Sequence, residues 1–132
     1  MEIRVSTEQG RVPVTVLHLT GDVDVHSYEQ LQAAAEQAHT DGARYVLLDL
    51  TGVGYISSAG IRAINHIFYL LRVDAPAESD AVIRAGVEAG TFKSAHLKLL
   101  NPNKRVAEAL KITGVDMFLD FHHDLATAVA SF

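Results

Sequence analysis

The sequence predicts an α/β sandwich whose sheet contains parallel strand pairs. Three observations carry that prediction. Short apolar runs with strand character alternate with runs of helical period, and the connections between them are short. The strongest strand run, Tyr45-Val46-Leu47-Leu48, is nearly continuous in apolar residues, as in a central strand covered on both faces. The 132 residues, 48% hydrophobic and 20% charged, suit one domain able to bury roughly two-thirds of its unfolded surface.

In chain order, Met1–Val5 and Val12–Leu19 read as strands joined by the polar turn Glu8-Gln9-Gly10-Arg11, a hairpin. In the second strand Val14 and Val16 fall on one face and Leu17 and Leu19 on the other, so both faces are expected to be covered. Thr20-Gly21-Asp22-Val23-Asp24 leads into a helix that Ser27 or Asp24 can cap. Its apolar positions are Leu31, Ala34, Ala35 and Ala38, and Asp41-Gly42 stops it. Arg44–Leu50 is the expected sheet centre. After the loop Thr51–Tyr55, the stripe Ile61, Ile64, Ile67, Phe68 and Leu71 predicts a helix from about Ser58 to Leu71.

Asp74–Ser94 is more polar and contains Pro76, Gly86 and Gly90. It reads as a mobile excursion with a short helix capped by Ser79 or Asp80, running through Val82 and Ala85 and extending as far as Val87 at most. Leu97–Leu100 is a short strand, and Asn101-Pro102-Asn103 turns it into a helix holding Val106, Ala109 and Leu110 and ended by Gly114. Met117–Phe121 is a short strand or an irregular apolar segment, and Asp124 caps a terminal helix through Leu125, Ala128 and Val129.

Composition narrows the function classes. A formal charge of −5 has the wrong sign for binding a phosphate backbone, which argues against nucleic acid as a partner. With no cysteine, disulfides, thiolate catalysis and cysteine metal sites are absent, and a cytoplasmic location is expected. No apolar leader or run of ~18 apolar residues supports secretion or membrane insertion.

The candidate chemistry is sparse. Gly52-Val53-Gly54 matches neither nucleotide fingerprint. His122-His123 with Asp120 and Asp124 lacks metal-ligand spacing and reads as a solvated helix start. His18 and His66 read as satisfied structural residues. No Ser-His-acid arrangement is expected, since Gly52–Gly60 contains no nucleophile elbow and nothing places a base beside Ser57 or Ser58. The chain is therefore not expected to be an enzyme, with no catalytic residue, metal or cofactor assigned. Ser57 and Ser58 stand where a central strand's loop enters a helix. There a serine oxygen can serve as an ordinary N-cap, and the same position suits a phosphoserine, because free N–H groups and the helix dipole favour an anion.

The run Asp49-Leu50-Thr51-Gly52-Val53-Gly54-Tyr55-Ile56-Ser57-Ser58-Ala59-Gly60-Ile61-Arg62 resembles the signature of anti-sigma factor antagonists of the STAS domain family. Leu19–Asp24, Asn101-Pro102-Asn103 and Ile112-Thr113-Gly114-Val115-Asp116 are also similar to that family. The resemblance implies a STAS-type sandwich of a mixed, mainly four- to five-stranded sheet with about four to five helices. It implies a single domain over 1–132, with an inserted or extended segment at about 73–94. Its functional implication is a transcription-regulating, partner-switching module that binds an anti-sigma serine kinase and is switched off by serine phosphorylation. Ser58 is the implied phosphorylation site, with Ser57 the second choice, because the family's commonest pattern has aspartate where this chain has Ser57. Asp22, Asp24, Ser57, Ser58, Gly60 and Ile61 are the implied partner-binding residues, while Arg62 defaults to a solvated helix arginine. The rival is a non-switching STAS scaffold subunit or soluble transporter partner, with 73–94 as a dimer or assembly surface; a homodimer is left open.

Overall fold

The computed structural model describes residues 1–72 and 93–132. The N-terminal hairpin pairs β1 (Glu2–Gln9) antiparallel with β2 (Pro13–Thr20), in a register that runs from Glu2 opposite Thr20 to Gln9 opposite Pro13. β1 thus extends past Val5 through Thr7, Glu8 and Gln9, and the turn tightens to Gly10-Arg11-Val12. As an edge strand β1 is solvated along much of its length, so its polar residues fit the ladder without an apolar alternation to announce them.

The remaining strands add in parallel. β3 (Val46–Gly52) pairs with β2, β4 (Leu97–Leu100) with β3, and the short β5 (Phe121–His122) with β4, giving a mixed five-stranded sheet in the order β1-β2-β3-β4-β5. β3 lies at the centre, as its apolar run requires. The last strand falls at the end of the expected Met117–Phe121 segment, because Val115–Met117 forms a 3₁₀ turn first.

Four helices occur among the described residues: α1 (Tyr28–Thr40), α2 (Ser58–Arg72), α3 (Lys104–Ile112) and α4 (Leu125–Ala130). Strand parity decides which face each covers. Leu17, Leu19, Leu48, Leu50, Leu97 and Leu99 point to one face and are buried with Leu31 and Ala35 of α1, the Ile61/Ile64/Ile67/Leu71 stripe of α2, and Val106 and Leu110 of α3. The opposite parity, Val14, Val16, Leu47 and Leu100, is covered by Ala128 and Val129 of α4. Among the described residues the six-residue α4 is the one helix packed on that second face, which also carries polar side chains such as His18, Asp49 and Lys98.

Two of the helix starts follow the sequence. Asn103 Oδ1 accepts from the Val106 amide at 2.7 Å, and Asp124 Oδ2 accepts from the Thr127 amide at 2.8 Å. These bonds, first the amide and then the Thr127 hydroxyl, hold the Asp124 carboxyl below its ordinary pKa. Gly114 ends α3 with φ +83°, a left-handed conformation that a side chain would strain. The start of α1 differs from expectation. Ser27 is its N-cap by position but makes no side-chain cap bond, because its hydroxyl turns back to donate to the Asp22 carbonyl at 2.7 Å. The excursion and short helix expected within 74–94 lie outside the described residues, apart from Lys93 and Ser94.

Candidate functional site

The site is built where two loops leave the C-terminal ends of the parallel strands β2 and β3. The register of the two strands shifts between His18 and Thr20, and beyond the shift the chains separate into Gly21–Ser27 and Val53–Ser57. They meet again at a single parallel bridge between Val23 and Ile56. There the Val23 amide donates to the Tyr55 carbonyl at 3.0 Å and the Ser57 amide to the Val23 carbonyl at 2.9 Å. This short ladder carries the start of α2 directly against the Asp22–Asp24 loop.

Gly60 is required by that approach. A Cβ on it would lie 2.5 Å from the Val23 carbonyl oxygen and 2.7 Å from Ile56 Cγ1, well inside contact distance. The glycine therefore lets the first turn of α2 sit on the bridge. Ile61 is buried in the main core and Gly60 is buried under Val23, so both shape the site from beneath and neither forms its exposed surface.

The two serines differ in position at the start of α2. Ser57 Oγ accepts from the Gly60 amide at 3.3 Å, and the Ser57 carbonyl accepts from Ile61 at 2.9 Å, so Ser57 is the N-cap. Ser58 is the first helical residue and is exposed. A capping role for the Ser58 hydroxyl is thereby corrected: the helix begins one residue earlier than that role needs.

The aspartates divide in the same way. Asp24 is held in a turn, its Oδ1 accepting from the His26 amide at 2.9 Å and its amide donating to Ser27 Oγ at 3.0 Å. Asp22 is exposed, and its backbone carbonyl, not its carboxylate, receives the Ser27 hydroxyl.

Three residues outside the expected set complete the site. Asn103 caps α3 with its Oδ1 and with its Nδ2 donates to the carbonyl of Val53 at 3.1 Å, tying the Val53–Ser57 loop to the next crossover. Arg105 places its guanidinium 5.0 Å from the centre of the half-exposed Tyr55 ring. The Asn-Pro-Asn turn signalled the cap, but nothing local signalled the tether or the cation–π pair, which join residues about fifty positions apart.

A second polar constellation lies on the sheet face that α4 leaves open. Ser6 Oγ is 2.8 Å from His18 Nε2, and His18 Nδ1 is 2.7 Å from Asp49 Oδ2. Thr51 supplies its amide and hydroxyl to Asp49 Oδ1 at 3.0 and 2.6 Å. Burial works to raise the Asp49 pKa, but the Thr51 and His18 hydrogen bonds outweigh it and the net displacement is downward. The expectation that no Ser-His-acid arrangement exists is thus overturned. His18 is satisfied, as expected, yet it is satisfied by a serine and an acid on the two neighbouring strands. Only strand pairing reveals this, since the partners are 12 and 31 residues from it.

Elsewhere His66 bonds Glu36 at 2.8 Å between α2 and α1. Among the described residues no group of three or more His, Asp or Glu is placed to hold a metal ion. No described helix is long and apolar enough to cross a membrane.

A sheet of this order, flanked by helices and presenting a serine at a helix start beside an acidic loop, defines a mixed α/β module. The STAS domain family model matches residues 5–74, more than half of the 132 residues, and the chain belongs to that family. Solved structures agree in fold. An anti-sigma factor antagonist from Mycobacterium paratuberculosis is similar with a TM-score of 0.66 at 15% identity, over 98% of this chain and 93% of that one. An anti-sigma-factor antagonist (STAS) domain protein from Planctomyces limnophilus gives 0.67 at 19% identity, over 96% and 94%. The phosphorylated form of the Bacillus cell fate determinant SpoIIAA gives 0.64 at 16%, over 97% and 96%. No curated protein matches the chain significantly.

Proposed function

We propose that this protein is a cytoplasmic anti-sigma factor antagonist. Unphosphorylated, it docks an anti-sigma factor with serine-kinase activity, and a phosphate on Ser58 abolishes the docking. The kinase brings ATP and Mg²⁺, and this chain contributes the acceptor hydroxyl. The observation that carries the reading is the exposure of Ser58 at the first turn of α2, with the capping role taken by Ser57. Its hydroxyl is therefore available to a kinase without cost to the helix. The exposed Asp22 on the loop bridged to this helix start, and the half-exposed Tyr55, form the face the partner reads, while Asp24, Gly60 and Ile61 hold it in shape.

Like-charge repulsion supplies the switch. A phosphate adds about −1.5 to −2 charge at a surface that already carries Asp22, and desolvating it inside an interface is unfavourable. The structural likeness to a phosphorylated SpoIIAA supports the same reading. Residues 1–132 are then one STAS domain, with 73–94 as an insertion or extension.

Mass mapping of the protein from its native cells, together with titration of Ser58→Asp against the cognate anti-sigma kinase, tests the proposal. Phosphate on Ser58 and at least tenfold weaker binding of the variant are expected. A protein unmodified in growth and stress, binding equally well as Ser58→Asp, would refute the switch and leave a constitutive scaffold or transporter partner.

A further inference from the structure

Three adjacent strands bring Ser6, His18 and Asp49 into one line on the sheet face that α4 does not cover. Asp49 is ionised at neutral pH, and a carboxylate only accepts hydrogen bonds, so His18 Nδ1 carries the ring proton toward Asp49 Oδ2. In the neutral ring Nε2 is then an acceptor, and the Ser6 hydroxyl donates to it at 2.8 Å. The Thr51 amide and hydroxyl hold the other carboxylate oxygen, so the acid is itself oriented. Nucleophile to base and base to acid are both within the reach that nucleophilic catalysis needs.

The surroundings leave room for a reactant. A cleft of about 630 Å³ opens at the His18–Asp49 end of the relay, lined by Arg4, His18, Asp49 and Thr51 and also by Glu2; Ser6 does not line it and is joined to it through its bond to His18. Arg4 is the register partner of His18 and shares the strand face of Ser6, and Glu2 shares it too, so that face carries one charge of each sign near the relay. Ser6 is only half-buried.

We propose that Ser6, His18 and Asp49 form an acyl-transfer relay that accepts the acyl group of small activated esters. The Ser6 Oγ–acyl carbon bond forms as the bond from that carbon to the leaving oxygen breaks. The Oγ proton passes to His18 Nε2 and then to the departing alcohol. Water, deprotonated by the same nitrogen, hydrolyses the acyl-serine and restores Ser6. No redox step or metal is involved, and the proposal is independent of the switch at Ser58.

The test is incubation of the whole protein with p-nitrophenyl acetate, read by nitrophenolate release and by peptide mass mapping. Acetylation confined to Ser6 is expected, with Ser57 and Ser58 in the same molecule serving as serines that have no base beside them. Ser6→Ala should abolish the adduct, and His18→Gln should slow its formation at least about 100-fold. Asp49→Asn should slow it at least tenfold through the wrong ring tautomer. Absence in the wild type of both a Ser6 adduct and nitrophenolate release above the buffer rate overturns the proposal, and that result needs no variant to fold. Equal acetylation of Ser6 in a His18→Gln protein with an unchanged circular dichroism spectrum also overturns it.

Discussion

Exchanging the two serines at the start of α2 for alanine, one at a time, separates the helix cap from the proposed phosphate acceptor. Ser57→Ala removes the oxygen that receives the Gly60 amide at 3.3 Å. That distance lies just beyond the usual range for an N–H···O bond, which places the bond itself toward the weak end of capping interactions, about 0.5–1 kcal/mol. Gly60 is buried, however, so its amide is left without an acceptor in a place water reaches poorly, and the total rises to about 1–2 kcal/mol. For 132 residues the unfolding entropy corresponds to about 3.6 °C per kcal/mol, so the melting temperature should fall by about 4–7 °C. Ser58→Ala changes an exposed first-turn residue to a better helix former and should stay within about 0.5 kcal/mol of wild type, a shift below about 2 °C. Differential scanning calorimetry of the two variants decides the matter. A Ser58→Ala protein that melts below Ser57→Ala would refute the division of labour between the serines.

Gly60→Ala should destabilise, by up to about 3 kcal/mol. The helix propensity gained is up to about 1 kcal/mol, but a methyl 2.5 Å from the Val23 carbonyl forces α2 off the Val23–Ile56 bridge at an overpacking cost of about 1–3 kcal/mol. A thermal melt at or above wild type would show that the helix start tolerates displacement. Acid should destabilise the protein through Asp49, whose pKa is lower folded than its ordinary 3.8. Its contribution is complete above that ordinary value and is lost as pH falls through the lower folded one. Urea titrations from pH 5 downward should therefore show a shallower loss for Asp49→Asn, and parallel curves would contradict the assignment.

Much of this fold is legible because the chain states its periods clearly. The parity of Val14, Val16, Leu17 and Leu19 announces a strand covered on both faces, and α1 to α3 on one side with α4 on the other deliver that cover. The Ile61–Leu71 stripe marks α2 to within one residue at its C-terminal end. That same tolerance of one residue at the N-terminal end decides which serine is the cap, and periodicity cannot resolve it. Edge position hides the end of β1, since Thr7, Glu8 and Gln9 give no alternation to read. The resemblance named the site residues but not their depth: Ile61 belongs to the apolar stripe and is buried for that reason. Asn103 at Val53 and Ser6 at His18 depend on strand order and register, which no local window contains.

The arrangement at α2 also fixes the direction in which the proposed switch would act. Phosphate on Ser58 meets the N-terminal end of the helix dipole and, one turn along the same face, the exposed Arg62, so in the free domain its charge is accommodated. The Val23–Ile56 bridge and the close seat of Gly60 leave the helix start no space to move in answer to it. An added phosphate therefore changes the charge of the proposed docking face and leaves its shape alone. Its effect on partner affinity then arises in the interface, from desolvation and repulsion between like charges, and weakens as salt screens the exposed part of that repulsion. A switch built by refolding would lack that salt dependence, because its penalty would lie in the packing of α2 against Val23 and Ile56.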